Sequence, residues 1–554
     1  MYPPLTPETL HSDCLPTEAE SSQTAACIFD EEGLKARYDT EINRLRDIAS
    51  KLEREKESLA EVIGQRKSWI SALRRFPLEI LDQIFLEVVR DNGHSLSISS
   101  EKISTATLPL SQVCSRWRHI TQGLPHLWSK LGVDISDLKK NVRPLIQLHL
   151  QHAKDSALTV HLYDSDRECG LEPGDDPMEY LGAVGCTVYR TIMKELHRCE
   201  ELYISLQPKL LSISVDPWFQ LTLSFPRLRK FDECLSEEAP DWNSPRIECP
   251  RWFRDAVRKR APMLVHARID YLSSLSQTMF QCSELTSLEV TVAPRLDSFV
   301  EFLSHCTSLR TLIFEDLEFW ESTINHGWQT DRALSPITPP VQITSLQRAS
   351  FTTCDPYDLG VFLRSVVLPG LEDLTIDVTN HHSPAASLVY TKIQGQSQFQ
   401  SLLLDLLDRS SCQLKRLKLA FDTDDTYKAL AISWSQMFEA CPQLTHFYFV
   451  NADTIPGTAP FDLLLAFVIR DNDPLLLPIL TNFKIDGINS SMLEECILHM
   501  LEQRARSRAC ASDFAPLYGT FRFRKEGLYG SSSLHERMGF LRSRGIFCEF
   551  EHQK

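Results

Sequence analysis

Apolar residues recur at seven-residue intervals between residues 34 and 70. One set of heptad positions holds Tyr38, Leu45, Leu52 and Leu59, and the alternate set holds Ile42, Ala49 and Ile63. This spacing predicts a long amphipathic helix, because residues seven apart lie on one side of a helix. The helix either self-associates as a short coiled coil, whose seam Lys56 interrupts, or lies singly along the next domain.

Residues 1–33 differ in character from this helix. They are rich in Pro, Ser, Thr and acidic residues, and their apolar residues show no periodicity. Chains of such composition bury too little apolar surface to offset the entropy lost on ordering. We therefore expect a disordered N-terminal tail over residues 1–33.

Two shorter amphipathic segments follow within residues 71–132. The first opens with Pro77, which suits a first helical turn because its missing N–H costs nothing there, and its apolar stripe comprises Ile80, Leu81, Ile84, Phe85 and Val88. The second ends at Gly123, a common helix stop, and its stripe comprises Leu110, Val113, Cys114, Trp117 and Ile120. The polar stretch 91–107 separates the two predicted helices, and a short turn carries Leu127 and Trp128.

In order along the chain, these residues resemble the F-box. The matching pieces are Phe76-Pro77-Leu78-Glu79-Ile80-Leu81, then Val113-Cys114-Ser115-Arg116-Trp117-Arg118, then Leu127-Trp128. They resemble the Leu-Pro start and first helix, the Val-Cys-x-x-Trp helix and the Leu-Trp end of that family. The chain departs from the family pattern in Phe76, where leucine is usual, and in a longer polar insert.

The resemblance implies a function as the substrate-recognition adaptor of an SCF-type ubiquitin ligase. In that family the helices dock on a Skp-type linker protein, which in turn binds a cullin. The linker-protein interface implied here comprises Phe76, Pro77, Ile80, Ile84, Val113, Cys114 and Trp117. Such docking is physically reasonable because short helices display more apolar surface than their own small core can cover. The alternative is that these side chains pack within the chain, against the heptad helix or the repeats.

A second motif recurs beyond residue 150: a leucine, two residues, an apolar residue, one residue, and another apolar residue. It occurs at Leu285-x-x-Leu288-x-Val290, Leu309-x-x-Leu312-x-Phe314, Leu371-x-x-Leu374-x-Ile376, Leu414-x-x-Leu417-x-Leu419, Leu444-x-x-Phe447-x-Phe449 and Leu480-x-x-Phe483-x-Ile485. The intervals 285–309, 346–371 and 414–444 are 24, 25 and 30 residues long, close to a leucine-rich repeat. Helix-like stretches lie between the motifs. The alternative is an ordinary α/β domain.

The predicted fold class is therefore α/β. We expect an N-terminal long helix and a three-helix F-box, followed over residues 150–554 by a curved leucine-rich-repeat solenoid with a C-terminal cap. A parallel sheet would line its concave side. Because successive strand residues point to opposite faces, the polar members of these strands would form a substrate surface. The nominated residues are Glu289, Thr375, Asp377, Lys418, Tyr448, Lys484 and Asp486.

Charge and cysteine usage narrow the possible partners. With 58 Lys+Arg against 74 Asp+Glu, the net charge of −16 opposes binding to nucleic acid or an anionic membrane. The N-terminus lacks the features of a secretory signal, so an intracellular protein, cytoplasmic and/or nuclear, is expected. No Cys/His group has zinc-ligand spacing, and four cysteines lie three residues before a leucine, as buried corner residues would: Cys199, Cys282, Cys306 and Cys441.

The sequence favours an adaptor over an enzyme. The motifs GxSxG, HExxH, GxxxxGK[ST] and GxGxxG are absent, and we expect no cofactor and no metal. An unknown protein substrate is the expected ligand of the repeats. Two alternatives remain: a leucine-rich-repeat scaffold that does not join a ligase, and, with less support, an enzyme of unknown class.

Overall fold

A computed structural model describes residues 15–70, 75–136, 138–165, 176–211, 222–233, 251–271, 282–292, 296–315, 336–353, 356–378, 399–421, 433–451, 463–464, 467, 477–488, 492–508, 516–523 and 532–552. The chain divides into two compact units, residues 1–84 and 85–554. The prediction of a mixed α/β protein with a long N-terminal helix and a large, mostly parallel sheet is confirmed.

The first unit contains the helix α1, Glu18–Trp69, which is 52 residues long. Its start at Glu18 corrects the prediction of disorder for residues 18–33, while residues 1–14 lie outside the described part of the chain. The physical reason is a capping box in which the Thr17 N–H donates to Glu20 Oε2 at 2.9 Å and the Glu20 N–H donates to Thr17 Oγ1 at 3.3 Å. These reciprocal bonds satisfy backbone groups that a helix start otherwise leaves without partners.

Helix α2, Leu78–Asp91, begins in the first unit and ends in the second. The later helices are α3 Thr107–Val113, α4 Ser115–Gly123, α5 Arg143–Ala153, α6 Pro177–Glu195, α7 Pro208–Leu211, α8 Arg251–Arg260, α9 Leu296–His305, α10 Pro356–Ser365, α11 Phe399–Ser410, α12 Trp434–Glu439, α13 Met492–Arg508 and α14 Ser532–Ser543. Short 3₁₀ turns occur at Pro125–Trp128, Leu196–Arg198 and Cys282–Glu284.

The strands are β1 Leu96–Ile98, β2 Ile103–Thr105, β3 Lys130–Asp134, β4 Leu158–Tyr163, β5 Cys199–Ser205, β6 Lys230–Glu233, β7 His266–Tyr271, β8 Ser287–Val292, β9 Thr311–Phe314, β10 Val341–Gln342, β11 Arg348–Thr353, β12 Val366–Val367, β13 Asp373–Val378, β14 Arg416–Phe421, β15 His446–Asn451, β16 Asn482–Ile488, β17 Leu517–Phe523 and β18 Ile546–His552. Within the described residues, sixteen of them form one sheet.

From β3 to β18, strand order in this sheet follows the chain. From β3 onward each strand pairs in parallel with the next one of the sheet, while β1 pairs antiparallel with β2 and parallel with β3. Strands β10 and β12 form a separate parallel pair. The last two strands, β17 and β18, extend the main sheet in parallel, which defines the pairing of the C-terminal segment.

The recurring leucine motif predicted its strands correctly. In each of the six motifs the opening leucine lies two residues before a strand, as Leu371 precedes β13 and Leu444 precedes β15. The two later apolar positions are buried, for example Leu374 and Ile376. Two further strands follow variants of the motif that were not predicted, Leu228-x-x-Phe231-x-Glu233 and Leu264-x-x-Ala267-x-Ile269. The repeat position at Leu346, which the repeat intervals included, also precedes a strand, through Leu346-x-x-Ala349-x-Phe351.

Helices cover the buried face of the sheet. The ring of Phe299 on α9 lies 4.9 Å from that of Phe314 on β9, and the ring of Phe362 on α10 lies 5.4 Å from that of Phe351 on β11. The predicted corner cysteines Cys199, Cys306 and Cys441 are also buried. Burial raises the pKa of the Cys441 thiol to about 12, so this thiol stays protonated at neutral pH. No helix in the described residues is long and apolar enough to cross a membrane.

Candidate functional site

Helix α2 carries apolar side chains on more than one face. Its buried residues are Leu81, Phe85 and Val89, all less than 5% exposed. Its exposed apolar residues are Leu78, Ile80, Ile84 and Leu86, and Phe76 and Pro77 just before the helix are exposed as well. Ile80 and Ile84 are 40% and 42% exposed. A cluster of large apolar side chains in water is unfavourable, and such clusters mark surfaces that another molecule covers.

The second unit positions the remaining predicted interface residues around the junction of α3 and α4. Val113 ends α3 and is 59% exposed. Cys114 is the N-cap of α4, and its Sγ accepts a hydrogen bond from the backbone N–H of Trp117 at 3.5 Å. Cys114 and Trp117 are half-buried. The Trp117 ring packs edge-on against Phe85, so only part of this side chain is accessible to a partner.

A buried tryptophan fixes the turn that follows α4. Trp128 is 1% exposed, and its Nε1–H donates to the backbone oxygen of Thr121 at 2.7 Å. Its ring also lies 5.0 Å from the ring of His149 on α5. Since the polar end of the indole is satisfied and its apolar body is buried, Trp128 supports the helices rather than presenting a surface.

The seven residues nominated on the strands are all half-buried. They alternate with the buried leucines and phenylalanines, and so lie on the sheet face away from the core, here called the polar face. Three of them line one cavity of about 320 Å³, the Lys418 cavity, whose lining residues are Arg348, Asp373, Thr375, Arg416, Lys418 and Tyr448. The sequence thus predicted half of the lining residues.

Two of the other lining residues were not predicted because the predicted surface began at the third residue of β13 and of β14. Asp373 lies two residues before Thr375, and Arg416 lies two residues before Lys418, so each pair occupies one face. Extending the alternation to the first residue of each strand would have found them. Arg348 is the first residue of β11, the strand that begins two residues after Leu346. In the motif of this strand, Ala349 replaces the usual larger apolar residue.

Glu289 lies in a different cluster on the polar face. Arg268 is surrounded by three carboxylates, with Glu289 at 3.3 Å, Glu315 at 2.9 Å and Asp232 at 3.9 Å. Burial, reinforced by a hydrogen bond with Glu315, raises the pKa of Glu289 to about 7 despite the attraction of Arg268. The attraction of the single Arg268 guanidinium is therefore too weak to hold the pKa of Glu289 at its ordinary value.

The remaining nominated residues lie outside both clusters. Asp486 accepts from Arg522 at 3.3 Å, and Arg522 also pairs with Glu551. Lys484 is the register partner of Tyr448, one strand beyond the Lys418 cavity. Asp377 is aligned with Thr352 and Ala420 on the adjacent strands. The structure thus separates the seven residues into a cavity, an acidic cluster and scattered positions.

No family model, curated protein or solved structure matches this chain. In the described part of the chain, no three His, Cys, Asp or Glu side chains are grouped closely enough to hold a metal ion. Two features therefore bear on function: exposed apolar side chains near α2 and at the end of α3, and a polar sheet face with a cationic cavity.

Proposed function

We propose that this protein is an F-box-type substrate adaptor of an SCF-type ubiquitin ligase. It binds a Skp-type linker protein, and through it a cullin, by means of residues 76–131. Its strand and helix units form a leucine-rich-repeat solenoid that captures a target protein on the polar face. Because such ligases act inside the cell, we propose a cytoplasmic or nuclear location.

The observation that carries the proposal is the exposure of the motif residues themselves. Phe76, Ile80 and Ile84 are 37–42% exposed, and Val113 is 59% exposed. If these side chains served only the chain's own core, they would be buried like Leu81 and Phe85. Fully burying an exposed isoleucine or valine contributes about 1.5–3 kcal/mol, and a partner that covers the exposed part of several such side chains gains a fraction of this value for each.

The repeat units support the second half of the proposal. Their apolar sides pack against helices, as Phe299 and Phe362 show, while the polar face presents a mixed set of charged, hydroxyl and aromatic side chains. Repeat proteins use such faces to bind other proteins. The main alternative is a repeat scaffold that joins no ligase, and an enzyme of unknown class is a further alternative.

Co-expression with a Skp-type linker protein tests the ligase half. We expect the wild-type chain to co-purify with the linker. The double variant that combines Ile84→Glu and Val113→Glu should not co-purify with the linker, because a carboxylate is costly to bury in an apolar interface. Both positions are exposed, so the fold should survive. Ile479→Glu is the matched control, because Ile479 is 40% exposed and lies outside the proposed interface. Failure of the wild type to co-purify would favour the scaffold.

A further inference from the structure

The Lys418 cavity is built from two rows of side chains across neighbouring strands. In one row Arg348 on β11, Asp373 on β13 and Arg416 on β14 are aligned in register. In the other row Thr375, Lys418 and Tyr448 are aligned on β13, β14 and β15. Hydrogen-bonded parallel strands fix the backbone positions from which these side chains extend.

The cavity has an excess of positive charge. It holds three cations and a single carboxylate, that of Asp373, which lies 2.8 Å from Nε of Arg416. Among the described residues, no carboxylate is within salt-bridge distance of Arg348 or Lys418. This is unusual in a chain with a net charge of −16. On the same face, the cation Arg268 has three carboxylates around it.

The side chains around the cavity suit an oxyanion. A guanidinium offers planar pairs of N–H donors and an ammonium offers a concentrated charge, and both bind carboxylate and phosphate oxygens strongly. The hydroxyl groups of Thr375 and Tyr448 can add neutral donors. Next to Arg416, the pKa of His446 is lowered, first by burial and then by the positive charge of Arg416.

The dimensions favour a short segment of a protein over a long polyanion. Strands lie about 4.8 Å apart, so β11 to β15 spans about 14 Å, which an extended peptide crosses with about four residues. The acidic cluster around Arg268 lies on the same face, and the whole chain is acidic, so an extended nucleic acid would meet repulsion beyond the cavity.

We propose that the Lys418 cavity binds an acidic segment of a partner protein, whose carboxylate or phosphate groups pair with Arg348, Arg416 and Lys418. This inference rests on the proposed function in one respect only: the partner is taken to be the ligase substrate. It gives the substrate class a defined chemistry, an anionic side chain within an extended stretch. A carboxylate and a phosphoester present the same type of oxygen acceptor to these donors.

Fluorescence anisotropy on the full chain tests the proposal with defined probes. The probes are labelled glycine-serine peptides that differ only in two adjacent central residues: glutamates, phosphoserines or glutamines. We expect the glutamate or the phosphoserine peptide to bind more tightly than the glutamine peptide, and the tighter of the two identifies the anion. A labelled oligothymidylate serves as the nucleic-acid probe. Binding should weaken as salt is added, because partly exposed charges are screened.

The variant Arg348→Glu with Lys418→Glu should weaken binding of the acidic peptides by about tenfold or more. The control is Lys130→Glu, a charge reversal on the same face but on the distant strand β3. Circular dichroism checks that each variant is folded. Equal binding of the acidic and glutamine peptides by the wild type, or unchanged binding by the double variant, would overturn the proposal. Tighter binding of the oligothymidylate than of either acidic peptide would also overturn it.

Failure here is distinguishable from failure of the ligase proposal. The cavity variant leaves Ile84 and Val113 intact, so co-purification with the linker should be unchanged. If the linker does not bind but acidic peptides bind through Lys418, the cavity assignment stands and the ligase assignment is wrong. If the linker binds but acidic peptides do not bind through Lys418, the cavity assignment is wrong and the ligase assignment stands.

Discussion

The indole ring of Trp117 lies edge-on against the phenyl ring of Phe85, with the two ring centroids 4.8 Å apart. Phe85 is fully buried, whereas Trp117 is half-buried. Trp117 therefore has a structural contact in addition to the accessible surface that the proposed linker interface would use. A substitution at this position changes folding and binding together, so exposed Ile84 and Val113 are better positions for testing the interface.

The contact with Phe85 gives a stability prediction. Replacing a fully buried tryptophan with alanine costs about 3–5 kcal/mol, so for half-buried Trp117→Ala we expect the free energy of unfolding to fall by about 2 kcal/mol. Urea denaturation followed by circular dichroism measures this. The control is Leu15→Ala, since Leu15 is 93% exposed and its loss should change stability by less than about 0.5 kcal/mol. Equal effects of the two substitutions would show that the Phe85 contact contributes nothing measurable.

The acidic cluster around Arg268 makes stability depend on pH. The folded pKa of Glu289 is raised from 4.5 to about 7, so between these values the folded state retains a proton that the unfolded state has released. Stability from this group is therefore present below pH 4.5 and is lost as the pH rises through 7. Glutamine does not titrate, so we expect Glu289→Gln to become more stable than the wild type as the pH rises across this interval.

Urea denaturation at a series of pH values from 4.5 to above 7 measures the difference between Glu289→Gln and the wild type. The control is Glu549→Gln, which removes an exposed carboxylate on β18, outside the acidic cluster around Arg268. A difference for Glu289→Gln that is constant over the whole range would contradict the raised pKa.

The heptad positions of α1 give a prediction about self-association. They remain exposed in the structure, with Leu45 at 56% and Leu52 and Tyr38 both at 59%. A helix with an apolar seam can cover that seam by pairing with a second copy, and a single polar residue such as Lys56 in the seam is compatible with a dimer. We expect the wild-type chain to sediment as a dimer in a sedimentation-velocity experiment. The double variant that combines Leu45→Lys and Leu52→Lys should sediment as a monomer.

The matched control for self-association is Asn43→Lys with Ser50→Lys, which adds the same charge at the same spacing but off the seam. This variant should remain a dimer. A monomeric wild type at high concentration, or equal dissociation by both variants, would contradict a coiled coil of residues 34–70.

The sequence predicted most of the sheet because each leucine motif combines a strand's two-residue alternation with a local turn. It did not reveal the pairing of β1 with β3, since β1 has only three residues and its partner is distant in the chain. It also missed strands in which a smaller or polar residue fills a core position, as Ala267 and Glu233 do. The early start of α1 was readable from Thr17 and Glu20, a capping box that the composition of the tail obscured.

The candidate site was predicted less completely than the fold. Alternation alone placed Lys418 and Tyr448 on the polar face, but the cavity depends on which strands become neighbours. Arg348 and Arg416 are 68 residues apart in the sequence and flank the same strand, β13. Such proximity follows from sheet order, and nothing in the local sequence of either residue encodes it.

The most direct test of the central claim is a calorimetric titration of a purified Skp-type linker protein into the full chain. We expect saturable one-to-one binding by the wild type and by Ile479→Glu, and binding weaker by about a hundredfold for Ile84→Glu, because the linker would have to bury a carboxylate. Absence of binding by the wild type, or equal affinity of wild type and Ile84→Glu, would contradict the proposal that the exposed residues of α2 dock on the linker.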